Sequence, residues 1–392
     1  SFLIHTTTTM QWDSFSDDQQ FNVSCIAQSK RYDTKEESDE ITSALLECTN
    51  VKAINLSGNT YSVDACENIA STLKNMADLE FVNFSDMFTT RKKPDVPPAL
   101  KLLVSALDNI TFLDVSDNAL GAPGTSSVVD LVSQPSLKVL RINNCGIGTT
   151  GALVLSNFFR NLNGVESIKL EDASHEDLRE ILEDDPSPAF ITEKRCDDIA
   201  LEVLAIGRNR LKVDGGEAIS YGIPYLKNLK EFYAPSNSIP SEGLIKVLNS
   251  LKECKQLEVL DINDNTLNQE GVPVLIELVK ELPNLRILKV GDCSLGDEGC
   301  LELVKTLKEL NRPLEVLDLT YNELGNEGVP FLIDILNQTQ TLRMLELDGS
   351  CISGSVLSTL VDVLQEHPCE LGSMDDNEDD EAESEEDLEE DL

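Results

Sequence analysis

Three consecutive cations, Arg91, Lys92 and Lys93, interrupt a chain that carries 71 Asp and Glu against 31 Lys and Arg, for a formal net charge of −40. They sit in the stretch Phe84–Pro94, FSDMFTTRKKP, between a candidate strand and a helix that begins near Pro97. A loop in that place lies at the rim of a fold, free to meet a partner. A second polar set recurs at one fixed step of a repeating pattern: Asp86, Asp117, Asp172, Asp264 and Asp292, with Asn144 and Arg208 interrupting the acidic run near its middle. Carboxylates on one edge can receive a basic protein surface and steer its approach. Taken singly, each Asp is equally explained by hydrogen bonds to loop amides, and Arg208 with Arg210 could equally bridge neighbouring acidic loops. Covalent chemistry has no comparable candidate: no Gly-rich phosphate loop, nucleophile–base pair or metal-ligand spacing stands out, and the histidines are three, His5, His175 and His367. No cofactor and no metal are expected.

What must position these residues is a repeat. The pattern L-x-x-L-x-L-x-x-N/C-x-L returns eleven times at intervals close to 28 residues, with its ninth position at Asn59, Met87, Asn118, Cys145, Ala173, Asn209, Asn237, Asn265, Cys293, Asn322 and Ser350. In one unit, residues 285–312, Leu285, Leu288 and Val290 mark a short strand with alternate side chains inward, and Leu295 closes the turn after it. Cys300, Leu303, Val304, Leu307 and Leu310 then recur at the three-to-four spacing of a helix stripe facing that strand. One unit cannot bury its own apolar face, so units stack, and an inward Asn or Cys at the ninth position can bond the backbone of adjacent turns. The fold class expected is α/β, a leucine-rich-repeat solenoid. It would be a crescent with parallel strands on the inner face and helices outside, its inner wall on the order of 50 Å long.

Three segments depart from the period. Residues 1–50 are expected to form an N-terminal segment and cap, with a helix over Glu37–Cys48. Residues 51–371 are the solenoid of about 11 repeats, in which 174–198, with Pro186 and Pro188, reads as an irregular insertion. Residues 372–392 carry 13 acidic and no basic side chains and are expected to be a disordered acidic tail. Without those 13 charges the total of 40 still leaves about 27, so the acidity is general. It argues against nucleic acid and anionic membrane as partners. The ten cysteines show no C-x-x-C and several fall at inward places, as expected of buried, reduced thiols. No leader sequence and no apolar run of membrane-spanning length is present in the sequence, so a chain neither secreted nor membrane-spanning is expected.

The stretch FSDMFTTR resembles the arginine loop of the GTPase-activating proteins for the small GTPase Ran. LSGNT at Leu56–Thr60, INNCGIG at Ile142–Gly148, GRNRL at Gly207–Leu211 and LDINDNT at Leu260–Thr266 resemble that family's successive strand–loop segments in the same order, over roughly residues 45–365. The acidic tail is a further family trait. The resemblance implies a regulator that binds Ran in its GTP form, with room for a Ran-binding protein as accessory, and accelerates hydrolysis on Ran without a nucleotide site of its own. It implies that Arg91 is the essential arginine, anchoring the partner's switch region rather than acting as a finger thrust at the phosphates. Asn144, in the pair Asn143–Asn144, matches the asparagine placed next to the GTPase's catalytic glutamine. Asp86, Lys92, Lys93, Asp117, Arg208, Asp264 and Asp292 complete the expected partner-binding set. A monomer, cytoplasmic or perinuclear and serving nucleocytoplasmic transport, is expected. The alternative is a non-catalytic acidic crescent, resembling ribonuclease inhibitor, that binds and inhibits or scaffolds a basic protein. Against it stand the single repeat type and the modest cysteine content.

Overall fold

The L-x-L core of successive repeats forms a three-residue strand whose middle residue is apolar and enclosed: Ile54, Val82, Leu113, Leu140 and Leu204 are all 0% exposed. The computed structural model describes residues 3–4, 23–24, 29–169, 172–174 and 199–377, which fall into two compact units.

The first unit comprises residues 1–211 with 225–228. In chain order its strands are β1 (Leu3–Ile4), β2 (Val23–Ser24), β3 (Arg31–Tyr32), β4 (Ala53–Asn55), β5 (Thr60–Tyr61), β6 (Phe81–Asn83), β7 (Phe112–Asp114), β8 (Val139–Arg141) and β9 (Val203–Ala205). Apart from the antiparallel pair β1–β2, the sheet runs β2–β4–β6–β7–β8–β9 with all neighbours parallel, and its middle residues stay in register from Ile54 to Leu204. A side ladder, β3 with β5, stacks the rings of Tyr32 and Tyr61 at 5.0 Å. Helices α1 (Lys35–Glu47), α2 (Val63–Leu73), α3 (Val96–Val104), α4 (Gly121–Val132) and α5 (Gly148–Leu162) pack each on the next. The helix α1 covers the expected cap helix, opened by a Thr34–Glu37 capping box.

The second unit comprises residues 212–224 with 229–392. Its six strands lie at Glu231–Tyr233, Val259–Asp261, Ile287–Lys289, Val316–Asp318, Met344–Glu346 and Glu370–Leu371, each parallel to the next. The helix stripe read in residues 285–312 is buried at Cys300, Leu303, Val304 and Leu307. Among the described residues no helix is long and apolar enough to cross a membrane.

The ninth-position asparagines do the stitching. Asn118 donates to the carbonyls of Phe84 (2.9 Å) and Val115 (2.8 Å) and accepts from the Met87 amide at 2.9 Å. An aliphatic side chain there would leave these buried groups without partners, at about 1–3 kcal/mol each.

Two expectations need correction. Among the described residues the repeat counted at Ala173 adds no strand: β8 pairs directly with β9, and residues 163–169 and 172–174 are not in the ladder. Asn209 reaches past the whole segment, accepting from the Cys145 amide at 2.9 Å and donating to the Ile142 carbonyl at 2.6 Å, a bridge for which the alanine side chain at position 173 carries no amide. The acidic tail also begins later than position 372. Gly372 donates to the Leu345 carbonyl, and Asn377 behaves like a ninth-position residue, accepting from the Ile352 amide and donating to the Ile352 carbonyl. The remainder of the expected insertion, 175–198, and of the expected tail, 378–392, lies outside the described residues.

Candidate functional site

The loop after β6 folds on its own apolar anchors. Phe84, Met87 and Phe88 are buried, which turns Thr89, Thr90, Lys92 and Lys93 outward, and Pro94 and Pro97 lead into α3. A turn closed by the Arg91 amide on the Phe88 carbonyl at 2.9 Å, with Thr90 held at φ +71°, sets the direction of the arginine.

That direction is inward. The side chain of Arg91 is only 8% exposed. Its Nε donates to Thr60 Oγ1 at 3.0 Å, its Nη2 to the carbonyls of Tyr32 and Thr60 at 2.9 Å each, and its Nη1 to Asp33 Oδ1 at 2.5 Å. The expectation that Arg91 stands free at the rim is therefore corrected. Its guanidinium clasps the cap ladder β3–β5 to the loop, because the fork geometry of an arginine satisfies several acceptors on two segments at once. Lys92 and Lys93, carried by the same loop, remain exposed.

Arg31 and Arg91 beside Asp33 hold its carboxyl below the usual carboxylate range. A carboxylate depressed in the folded state contributes stability above its unfolded pKa, ordinarily 3.8, and loses it as pH falls through the lower folded value. Acid melts followed from pH about 5 downward should show the cap loosening in the wild type. Asp33→Asn should remove that pH dependence.

The fixed step that carries the acidic row is a left-handed backbone position. Asp86, Asp117, Asn144 and Arg208 in the first unit have φ of +46°, +58°, +52° and +56°. Asp264 and Asp292 in the second have +54° and +50° and are exposed. Asp, Asn and Gly tolerate this region best, so the backbone explains most of the carboxylates. It does not explain Arg208, nor Arg210 at φ +56°. A long side chain kept where it costs about 1 kcal/mol points to a use other than stability. Arg208→Gly should stabilise the protein by up to about 1 kcal/mol in chemical denaturation while weakening capture of its partner. Asp172, counted in the row, is outside it: its carboxylate accepts from its own turn, at the Lys169 amide.

Lys93, Asp117, Asn144 and Arg208 come together around one cleft of about 820 Å³ within the first unit, joined by Arg210 and an apolar wall that includes Pro97 and Pro123. Asn144 is exposed, donates Nδ2–H to Asp117 Oδ1 at 2.8 Å, and has its backbone amide on the Gly207 carbonyl at 2.8 Å. Arg208 Nη2 lies 3.6 Å from the same Asp117 oxygen. Asp86 accepts from the Thr89 hydroxyl within the arginine loop, and neither it nor Lys92 lines the cleft. Behind the cleft, burial pushes the Cys145 thiol up to about 12, so it is an inert packing group, and the eight described cysteines are all free. The arrangement suits charge and hydrogen-bond placement on a docked surface. Sequence reading missed the acceptors of Arg91, namely Tyr32, Asp33 and Thr60, and gave Arg210 too little weight; its signal was the second left-handed step two residues after Arg208.

With strand, turn and helix repeating on this frame, the chain is a leucine-rich-repeat protein, and a family model described as Leucine Rich repeat matches residues 133–156, 281–304 and 310–330. It is similar to proteins named Ran GTPase-activating protein. It is 39% identical to the one from Drosophila melanogaster over 326 residues, 81% of this chain and 50% of that protein. It is 32% identical to Ran GTPase-activating protein 1 from Xenopus laevis over 216 residues, 53% of this chain and 33% of that protein. The chain thus spans half or less of the length of these relatives. Among solved structures it is similar to an internalin from Listeria monocytogenes, with 17% identity, a TM-score of 0.45, and coverage of 86% of this chain and 88% of that one.

Proposed function

We propose that this chain is a GTPase activator that binds a Ran-type small GTPase in its GTP form and stimulates hydrolysis on it, with no active site of its own. The observation that carries this reading is the division of labour between Arg91 and Asn144. The one arginine of the loop is spent on four internal hydrogen bonds, while an exposed amide stands at the edge of a cleft walled by Lys93 and Arg208. An arginine finger needs a guanidinium free to reach a phosphate; the Arg91 guanidinium is enclosed, and the Asn144 amide beside the cleft is exposed. Acceleration would then come from orienting the GTPase's own glutamine and its attacking water, with the loop cations and Arg208 gripping the switch region. The acidic residues, Asp264 and Asp292 among them, would steer a basic partner, consistent with the net charge of −40.

The role follows for a monomer working in the cytoplasm or near the nuclear envelope, where discharging Ran of GTP gives nucleocytoplasmic transport its direction, with a Ran-binding protein as accessory. Titration calorimetry against Ran loaded with a non-hydrolysable GTP analogue and with GDP tests the binding half of this reading. Preference for the GTP form, with affinity weakened by added salt, supports it. Equal affinity for both forms, or tight binding of an unrelated basic protein in place of Ran, would turn the chain into a scaffold or inhibitor.

A further inference from the structure

We propose that Asp117 is the positioning residue that decides which end of the Asn144 amide faces the cleft, so that Asn144 presents its carbonyl oxygen and one N–H to the docked partner. This rests on the reading of Asn144 as the residue beside the GTPase's glutamine and deepens it.

An asparagine amide on an open edge turns freely between two faces, acceptor-first and donor-first, and among staggered rotamers. Here it does not. Asp117 Oδ1 lies 2.8 Å from Asn144 Nδ2, and an ionised carboxylate can only accept. The flipped amide would set two oxygens against each other, so the orientation is fixed by chemistry. The backbones are locked as well: the Asp117 amide donates to the Asn143 carbonyl at 2.8 Å, and both residues occupy the left-handed step of successive rungs. Arg208 Nη2 lies 3.6 Å from the same carboxylate oxygen. Among the described residues nothing bonds Asn144 Oδ1, which is left for the partner. A glutamine side chain carries one acceptor and two donors, and an amide held in this way meets it as acceptor and donor together.

Freeing the amide spreads it over two faces and about three rotamers, so Asp117→Ala should lower the maximal rate about five- to tenfold. The test is single-turnover GTP hydrolysis on Ran across activator concentrations for the full chain and for Asp117→Ala, Asp117→Asn, Asn144→Ala and the Asp117→Ala/Asn144→Ala pair, with thermal melts of each. The proposal expects the maximal rate of Asp117→Ala to fall while its half-saturating concentration moves less than about threefold. Asp117→Asn, which still accepts through its Oδ1, should recover most of the rate, and Asp117→Ala should add nothing once Asn144 is gone.

A rise only in half-saturating concentration would make Asp117 a steering charge and overturn the proposal, as would an equal fall in the Asn144→Ala background or no recovery with asparagine. In the free protein, the Asn144 side-chain NH₂ signals, identified by their loss in Asn144→Ala, should shift in Asp117→Ala; unmoved signals deny the contact outright. If wild type and Asn144→Ala accelerate hydrolysis equally, the role given to Asn144 fails, and the NMR arm then reports whether Asp117 still orients it.

Discussion

Asn144→Ala lowers the maximal single-turnover rate of GTP hydrolysis on Ran about a hundredfold, and changes the half-saturating activator concentration less than tenfold. Activation of a Ras-type GTPase by about 10⁵ corresponds to roughly 7 kcal/mol of barrier. One hydrogen-bonding group placed at the reacting centre typically supplies about 2.7–4 kcal/mol of that, or a hundred- to a thousandfold. The exposed, left-handed Asn144 at the lip of the cleft is the neutral group placed to do this. Alanine removes the amide without touching the buried ladder, since the backbone amide still bonds Gly207. Loss in the half-saturating concentration alone, with the maximal rate intact, would reduce Asn144 to a binding contact.

Arg91→Ala acts at one remove and on two observables. Its four hydrogen bonds tie Tyr32, Asp33 and Thr60 to the loop that carries Lys92 and Lys93. Truncation removes all four hydrogen bonds, at about 0.5–1.5 kcal/mol each and a total on the order of 3 kcal/mol, although the Tyr32 carbonyl keeps the Ser62 amide and Asp33 keeps Arg31. Amide exchange in the β3–β5 ladder should therefore speed up by roughly a hundredfold. The loop cations lose their fixed place, the complex weakens, and activation at limiting concentrations falls ten- to a hundredfold. Arg91→Lys should rescue little, because an ammonium cannot satisfy acceptors on two segments as the planar fork does. Full loss of activation with unchanged exchange in the cap would mean that Arg91 leaves this nest to meet the partner.

The repeat frame and the nearness of Asp117, Asn144 and Arg208 were legible because a fixed period places equal steps of successive repeats on one edge, whereas Lys93 joins them from the loop after β6. Where the period ended, legibility ended with it. Two of the residues that receive Arg91, Tyr32 and Asp33, lie in the cap, which has no repeat to index it, and the inward turn depends on Thr90 at φ +71°, a conformation its residue type does not announce. The apparent repeat at Ala173 has the right leucine spacing, and its exclusion was decided by the reach of Asn209 to Cys145 and Ile142, a long-range bond that no local pattern encodes. The acidic row itself has a mixed origin. At Asp86, Asp117, Asp264 and Asp292 the left-handed backbone favours the residue type, so steering is an added use of side chains the turn already prefers. Arg208 runs against that preference, and is the better pointer to function.

The most direct test is single-turnover hydrolysis of GTP by Ran with catalytic amounts of this protein, beside Asn144→Ala, Arg91→Ala and a Ras-type control. The account predicts strong acceleration of Ran and none of the control, with the maximal rate cut by Asn144→Ala and the activity at limiting concentration cut by Arg91→Ala. No acceleration of Ran by the wild-type chain, at concentrations where it binds the GTP form, would contradict it.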